Sequence, residues 1–307
     1  MAGAAYVDWL DRNLPTLPVR EQGSHCEDAV LGHAVGCGLA EIAPFVRSLR
    51  AVFSGQVILI VDRKPTLLAW LSTHGVETVI AADRLLHWKP HPAVTRFAVH
   101  AQVLQERSEI HNVLIADVRD MVFQGDPLAD APDHCQFFRE ADDGAHPSVR
   151  LAPLRAIVAE PLAQDLSERP RVTTGVIAGP RAAALRFCRT MLLLSAGARP
   201  GESLDQAACN VIAHLGLVGG EIRPNFDRVA MASPSGAVGP RLEAGRAVNP
   251  DGGVSPILHR YSRIPGLADH ACATWGIPTA RRRPETALRR RMQSFGAAVL
   301  RGLPELR

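Results

Sequence analysis

The run Asn112-Val113-Leu114-Ile115-Ala116 and the charged residues that end it, Asp117-Val118-Arg119-Asp120, constrain the fold more than any other stretch. Four consecutive apolar residues are too few for a helix and read as a buried strand. In an open α/β sheet ligands gather outside the carboxyl ends of the strands. Asp117 and Asp120 at such an end are therefore placed for a substrate or a metal; the plainer alternative is a solvated turn after a core strand. Phe123 and the following Gly125-Asp126-Pro127-Leu128 favour the first reading, because they return the chain to the core and frame the acids.

The residues before this strand alternate between two periods. Asp28 to Gly36 is apolar-rich, and Leu39, Ile42, Phe45, Val46 and Leu49 then recur at helical spacing. Val57 to Val61 is a second buried strand ending in Asp62, followed by a helix opened by Pro65. Val76 to Ala81 is a third strand, and a loop at Trp88 to Pro92 leads into a helix over Val94 to Leu104 with Arg96 in its first turn. Short β-type runs separated by helices predict a mostly parallel, doubly wound, Rossmann-like α/β sheet.

Beyond the acids, Gln136 to Glu140 reads as a strand, an acidic loop follows at Asp142 and Asp143, and the chain is irregular to about Arg171. Val172-Thr173-Thr174-Gly175-Val176-Ile177-Ala178-Gly179-Pro180 is a strand interrupted by glycine, which marks a close approach of ligand or backbone. Helices are expected over Ala182 to Ala196 and from Ser203, where Asp205 and Gln206 lie in the first turn. Ile222 to Ala230 reads as one strand containing Asn225, Phe226 and Asp227, Ser233 to Gly253 as a loop, and Pro256 to Tyr261 as a last short strand carrying His259.

Several function classes are excluded or weakened. Lys and Arg total 34 against 31 Asp and Glu, a near balance that argues against a general nucleic-acid binder. Gly36-Cys37-Gly38 lacks the third glycine of a dinucleotide fingerprint, since Glu41 holds that place, and no Gly-Lys-Ser/Thr of a P-loop occurs. The six cysteines, Cys26, Cys37, Cys135, Cys188, Cys209 and Cys272, form no Cys-x-x-Cys pair and read as reduced, small core residues. Met1 to Glu21 resembles neither a signal peptide nor an anchor, and a cytoplasmic protein is expected.

The order of these pieces, Asp-x-Arg-Asp-x-x-Phe-Gln, Thr-Thr-Gly-Val-Ile-x-Gly, Leu-Asp-Gln-Ala and Leu-His-Arg-Tyr after a β/α half, resembles the nucleotide-diphospho-sugar glycosyltransferases of the GT-A fold. It is similar to the glycogenin-like retaining branch and to bacterial glycan-biosynthesis relatives. The resemblance covers roughly residues 28 to 265, leaving 1–27 as an N-terminal extension and 266–307 as a basic tail. It implies transfer of a sugar from a UDP- or GDP-sugar to a glycan, lipid-linked glycan, protein or small-molecule acceptor. It also implies a divalent Mn²⁺ or Mg²⁺ held by Asp117, Asp120 and His259, a donor site formed with Arg96, Asp117, Arg119, Thr174, Gly175 and Tyr261, and a reacting face at Asp205 and Gln206.

Hard carboxylate oxygens with one imidazole suit such an ion. Arg119 stands where a strict Asp-x-Asp has its second acid, and a cation there can itself neutralise phosphate. The bland alternatives are a surface ion pair for Arg96, a favourable charge at a helix start for Asp205, and a structural or surface histidine for His259. A sugar-nucleotide pyrophosphorylase shares the architecture, but its Gly-rich, Lys/Arg-bearing N-terminal loop is missing. A degenerate nucleotide-sugar-binding scaffold is the reading outside catalysis.

Within 279–307, Arg281 to Arg283 and Arg289 to Arg291 accompany Leu288, Met292, Phe295, Val299 and Leu300 on one helical face. Such a helix suits either peripheral contact with an anionic inner-membrane surface or packing on the domain.

Overall fold

The computed structural model describes residues 27–85, 92–129, 133–141, 149–195, 203–233, 237–264 and 266–277. The predicted strands appear as β1 (Glu27–His33), β2 (Gln56–Val61), β3 (Glu77–Ile80) and β4 (Ile110–Asp117), with short β5 (Met121–Phe123) directly after the acids. Later strands are β6 (Gln136–Arg139), β7 (Val172–Pro180), β8 (Glu221–Arg223), β9 (Val229–Met231), β10 (Arg241–Glu243), β11 (Arg246–Val248) and β12 (Ile257–His259). The helices are α1 (Leu39–Arg50), α2 (Pro65–Thr73), α3 (Ala81–Leu85), α4 (Pro92–Glu106), α5 (Leu151–Arg155), α6 (Glu160–Glu168), α7 (Arg181–Ser195), α8 (Leu204–Leu215) and α9 (Leu267–Trp275).

A seven-stranded sheet has the order β3-β2-β1-β4-β7-β6-β8. Its strands β3, β2, β1 and β4 run parallel, β7 runs antiparallel to both β4 and β6, and β8 is parallel to β6. The chain winds outward from β1 to β3 and then returns to the other side of β1 as β4. At such a reversal open α/β sheets place their ligand crevice, here at the carboxyl ends of β1 and β4. The sheet is thus mostly parallel, as expected, but mixed.

Alternation along the strands supplies two cores. Ala29, Leu31, Ile60, Ile115 and Ile177 face Phe97 of α4, Phe187 of α7 and Ile212 of α8. Val30, Leu59, Leu114, Ala116 and Val176 face Phe45 and Leu49 of α1 and Leu71 of α2. A second sheet, β5-β12-β9, covers a third apolar cluster with α9. Ser48, fully buried on α1, accepts the Phe123 N–H at 3.1 Å and donates to the Pro44 carbonyl at 2.6 Å, tying α1 to β5.

Three expectations are corrected. The irregular stretch before Arg171 carries α5 and α6, the latter with Ala163 and Leu166 buried; two short apolar stripes broken by Pro161 and charged residues hid them. The single strand over Ile222 to Ala230 is two strands in different sheets. Between them the backbone turns at Phe226 with φ of 69°, and the Asn225 amide brackets Met231 through both its N–H and its carbonyl. The loop over Ser233 to Gly253 contains the antiparallel β10–β11 hairpin, turned by Ala244 and Gly245 at positive φ. Four cysteines are buried as expected, but Cys272 is exposed.

Among the described residues no helix is long and apolar enough to cross a membrane. The chain divides into Met1–Gly276 and Ile277–Arg307. Cys26, Asp142, Asp143 and the predicted tail helix lie outside the described residues.

Candidate functional site

Sheet register builds the site. The last pair between β1 and β4 sets His33 beside Asp117, and the β4–β7 ladder, whose last pair is Ala116 with Val176, leads to Gly175 on the other side of Asp117. Strand alternation turns Asp117 toward the face covered by α4, α7 and α8. From α4, Arg96 reaches down and donates from one guanidinium nitrogen to Asp117 Oδ1 at 2.6 Å and from the other to Asp205 Oδ2 at 2.9 Å. Asp205 stands in the first turn of α8, where the helix dipole favours a carboxylate. One guanidinium thus links two acids that are far apart in sequence.

His259 approaches from the end of β12. Its Nε2 lies 3.7 Å from Asp117 Oδ2, an ion-pair distance rather than a direct hydrogen bond. A Cβ on Gly175 would fall 2.4 Å from His259 Cε1 and 2.6 Å from Asp117 Oδ2, so only glycine lets these two side chains meet over β7. His259 is buried and its Nδ1 has no hydrogen-bond partner among the described residues, nor has the buried Arg96 Nε. Asp117 keeps 40 % of its side chain accessible, against 14 % for Arg96, so the carboxylate is the part of the cluster that a ligand can reach.

The charges follow from this geometry. Burial by itself raises the Asp117 carboxyl, but the Arg96 guanidinium and then the His259 imidazole outweigh it and hold the group far below the usual carboxylate range. Burial lowers Arg96, yet the two carboxylates more than restore it, so the guanidinium stays charged. His33 is pushed down to about 4, first by burial and then by Arg96. At neutral pH the site therefore presents an ionised Asp117, a charged Arg96 and, at the end of β1, a neutral His33.

Arg119 is not in this cluster. It sits on the α1 side of the crevice rim, where its Nε donates to Cys37 Sγ at 3.1 Å and lies 3.6 Å from Glu41. Lys64 donates to the Cys37 carbonyl at 3.1 Å, so two cations flank Gly36-Cys37-Gly38. Gly36 N–H in turn donates to Asp62 at 2.7 Å. Each of these cations stands beside an acid, Lys64 with Asp62 at 3.4 Å and Arg119 with Glu41 at 3.6 Å.

Other predicted site residues are engaged elsewhere. Asp120 accepts from the Ser262 hydroxyl at 2.7 Å and the Ser262 N–H at 3.3 Å through the same oxygen. Gln206 donates its amide to the Val172 carbonyl, and with Asn210 it pins α8 to the start of β7. Thr174 is buried on the strand face opposite Gly175. Tyr261 packs in the third apolar cluster with Leu258 and Leu267. Among the described residues, no group of three or more His, Cys, Asp or Glu is placed to hold a metal ion.

Sequence reasoning missed His33, His100, Glu140 and Arg260. His33 ends β1 as Asp117 ends β4, a parallel that is visible in the sequence. His100 lies one helical turn after Arg96, is buried, and neither ring nitrogen has a partner among the described residues. Glu140 receives a two-pronged bond from Arg260, at 2.6 Å on each oxygen, and nothing local announces a pair so distant in sequence.

Fold and site together define an α/β protein with a mostly parallel mixed sheet and a charged crevice at its topological switch point. Comparison with models of known families and with characterised proteins finds no match for the chain.

Proposed function

We propose that this chain is a glycosyltransferase of GT-A type that moves a sugar from a UDP- or GDP-sugar to a glycan, lipid-linked glycan, protein or small-molecule acceptor. The observation that carries the reading is the convergence of Arg96, Asp117, Asp205 and His259 over Gly175 at the switch-point crevice. Sugar-nucleotide transfer builds negative charge on the departing diphosphate, and preorganised cations in a partly dry site stabilise that charge. Arg96 supplies one such charge and cannot be deprotonated in a protein. Arg119 and Lys64 add two more at the rim, each already beside an acid.

Asp117 Oδ2 and His259 Nε2 fit a divalent cation as far as they go: both are within reach of a common Mn²⁺ or Mg²⁺ with donor distances of about 2.1 Å. Bound there, the ion would act as a Lewis acid toward the diphosphate. Gly175 leaves room over both donors. Asp205, held in place by Arg96, is the carboxylate at the reacting face of the donor sugar in this reading; retention, the outcome implied by the resemblance, asks it to orient or receive the sugar rather than to deprotonate the acceptor.

A thermal-shift series with UDP, GDP, CDP and their sugars, with and without Mn²⁺, on wild type and Asp117→Asn tests this. Stabilisation by one nucleotide family that requires Mn²⁺ and disappears in the variant is expected, since a ligand bound only by the folded state raises its stability. No stabilisation by any nucleotide would refute the donor site. A nucleotide-binding scaffold is the second reading, favoured by the guanidinium of Arg96 being already shared between the two acids; it binds nucleotide but releases no free diphosphate over time. Cytoplasmic residence with contact at the inner membrane surface through 279–307 belongs to the proposal, and liposome sedimentation of the intact chain checks it.

A further inference from the structure

The five residues from His259 to Arg263 form a strap bound on both flanks. On one flank Arg260 is forked onto Glu140, whose carboxylate is buried and also lies 3.4 Å from Arg171. On the other flank Arg260 N–H donates to the Asp120 carbonyl at 2.6 Å, and Ser262 donates twice to the Asp120 carboxylate. Arg260 itself has φ of 59°, a left-handed conformation that is strained for a non-glycine residue. Such strain persists where surrounding bonds over-determine it. Here it directly follows the histidine that meets Asp117.

Met121 is the register partner of His259. Asp120 stands in the turn immediately before β5, and its side chain is received by Ser262.

We infer that Asp120 is a positioning residue: with Ser262, Arg260 and Glu140 it clamps the 259–263 strap so that the His259 imidazole faces Asp117, and it does so as a hydrogen-bond acceptor rather than as a charged metal ligand. The inference takes the Asp117–His259 pair of the proposed function as the working site. It makes a distinction that charge alone cannot mimic, because Asn at position 120 keeps the acceptor oxygen and loses the charge.

The test uses the full chain as wild type, Asp120→Asn, Asp120→Ala and Ser262→Ala, with Mn²⁺ alone as the probe. The free-Mn²⁺ signal in electron paramagnetic resonance gives the dissociation constant, and hydrogen exchange reads the Arg260 and Ser262 amides. Asp120→Asn is expected to match wild type within about twofold in both readouts. Asp120→Ala is expected to speed exchange at the residue-262 amide by roughly tenfold, the scale of a lost hydrogen bond, whereas Ser262→Ala keeps that N–H on the Asp120 carboxylate and is expected to speed it less. Mn²⁺ binding in both Ala variants is expected to weaken by about tenfold, the low end of what outer-shell partners contribute.

Asp120→Asn losing Mn²⁺ as fully as Asp120→Ala while Ser262→Ala keeps it would overturn the inference and make Asp120 a ligand. Unchanged exchange at the residue-262 amide in Asp120→Ala would overturn it as well. If wild type takes up no Mn²⁺, the metal in the proposed function falls, and the exchange pattern still decides the strap on its own.

Discussion

His33 and His100 lie under Arg96, and both imidazoles lose basicity on folding. Burial is the larger cause for each; for His33 the Arg96 charge adds to it while Asp117 and Asp62 oppose it, leaving the folded value at about 4 against 6.5. His100 is pushed well below the same starting value. Between those pH values the unfolded chain binds protons that the folded chain refuses, so folding stability rises with pH there. The contribution is complete above about 6.5 and lost as pH falls toward 4. Asp117 acts at lower pH, because its depressed carboxyl stabilises the fold above the ordinary carboxylate range and fails only as pH drops beneath it. Urea midpoints are therefore expected to be flat from pH 8 to about 7 and to decline below about 6.5, with a shallower decline in His33→Asn. Equal slopes in the two proteins would show that His33 is not responsible.

At the scale of elements, β7 and α1 each carry one residue on which a neighbour depends. Gly175→Ala puts a methyl group within 2.6 Å of Asp117 Oδ2 and closer still to His259, forcing one side chain to move. A loss of about 1–3 kcal/mol is expected, as for overpacking elsewhere, together with loss of any nucleotide-dependent thermal shift. Ser48→Ala makes the complementary case. It leaves the Phe123 N–H buried without its acceptor and is expected to cost about 1–3 kcal/mol in chemical denaturation while nucleotide binding is kept. If Gly175→Ala retains both stability and ligand response, the close meeting over β7 is not needed.

At the scale of the whole molecule, the Glu140–Arg260 fork joins the seven-stranded sheet, at the end of β6, to the strap beyond the small sheet. Both side chains are largely buried, so removing one charge leaves the other without compensation. Glu140→Gln is expected to destabilise the fold by about 3 kcal/mol, the lower end for breaking a buried pair. The Glu140→Gln, Arg260→Gln double variant should recover part of that loss, and strict additivity in the cycle would deny the coupling.

The parts of this protein that its sequence determined by itself are those governed by local periodicity. β1, β2, β4 and β7 are apolar runs long enough to be buried on both faces, and α1, α4, α7 and α8 carry apolar stripes at helical spacing, so each announces itself without its neighbours. The charged end of β4 was legible for the same reason: polarity changes abruptly where the buried run stops. β9, β10 and β11 were not legible, because three-residue strands have no period and exist only through the strands or turns they pair with. The division of labour among the acids was equally out of reach. Asp117 and Asp120 are alike in local sequence, and strand direction together with one antiparallel register sends the first to Arg96 and His259 and the second to Ser262. Side-chain direction is a property of pairing across the sheet, and that pairing is decided only when segments far apart in the chain pack together.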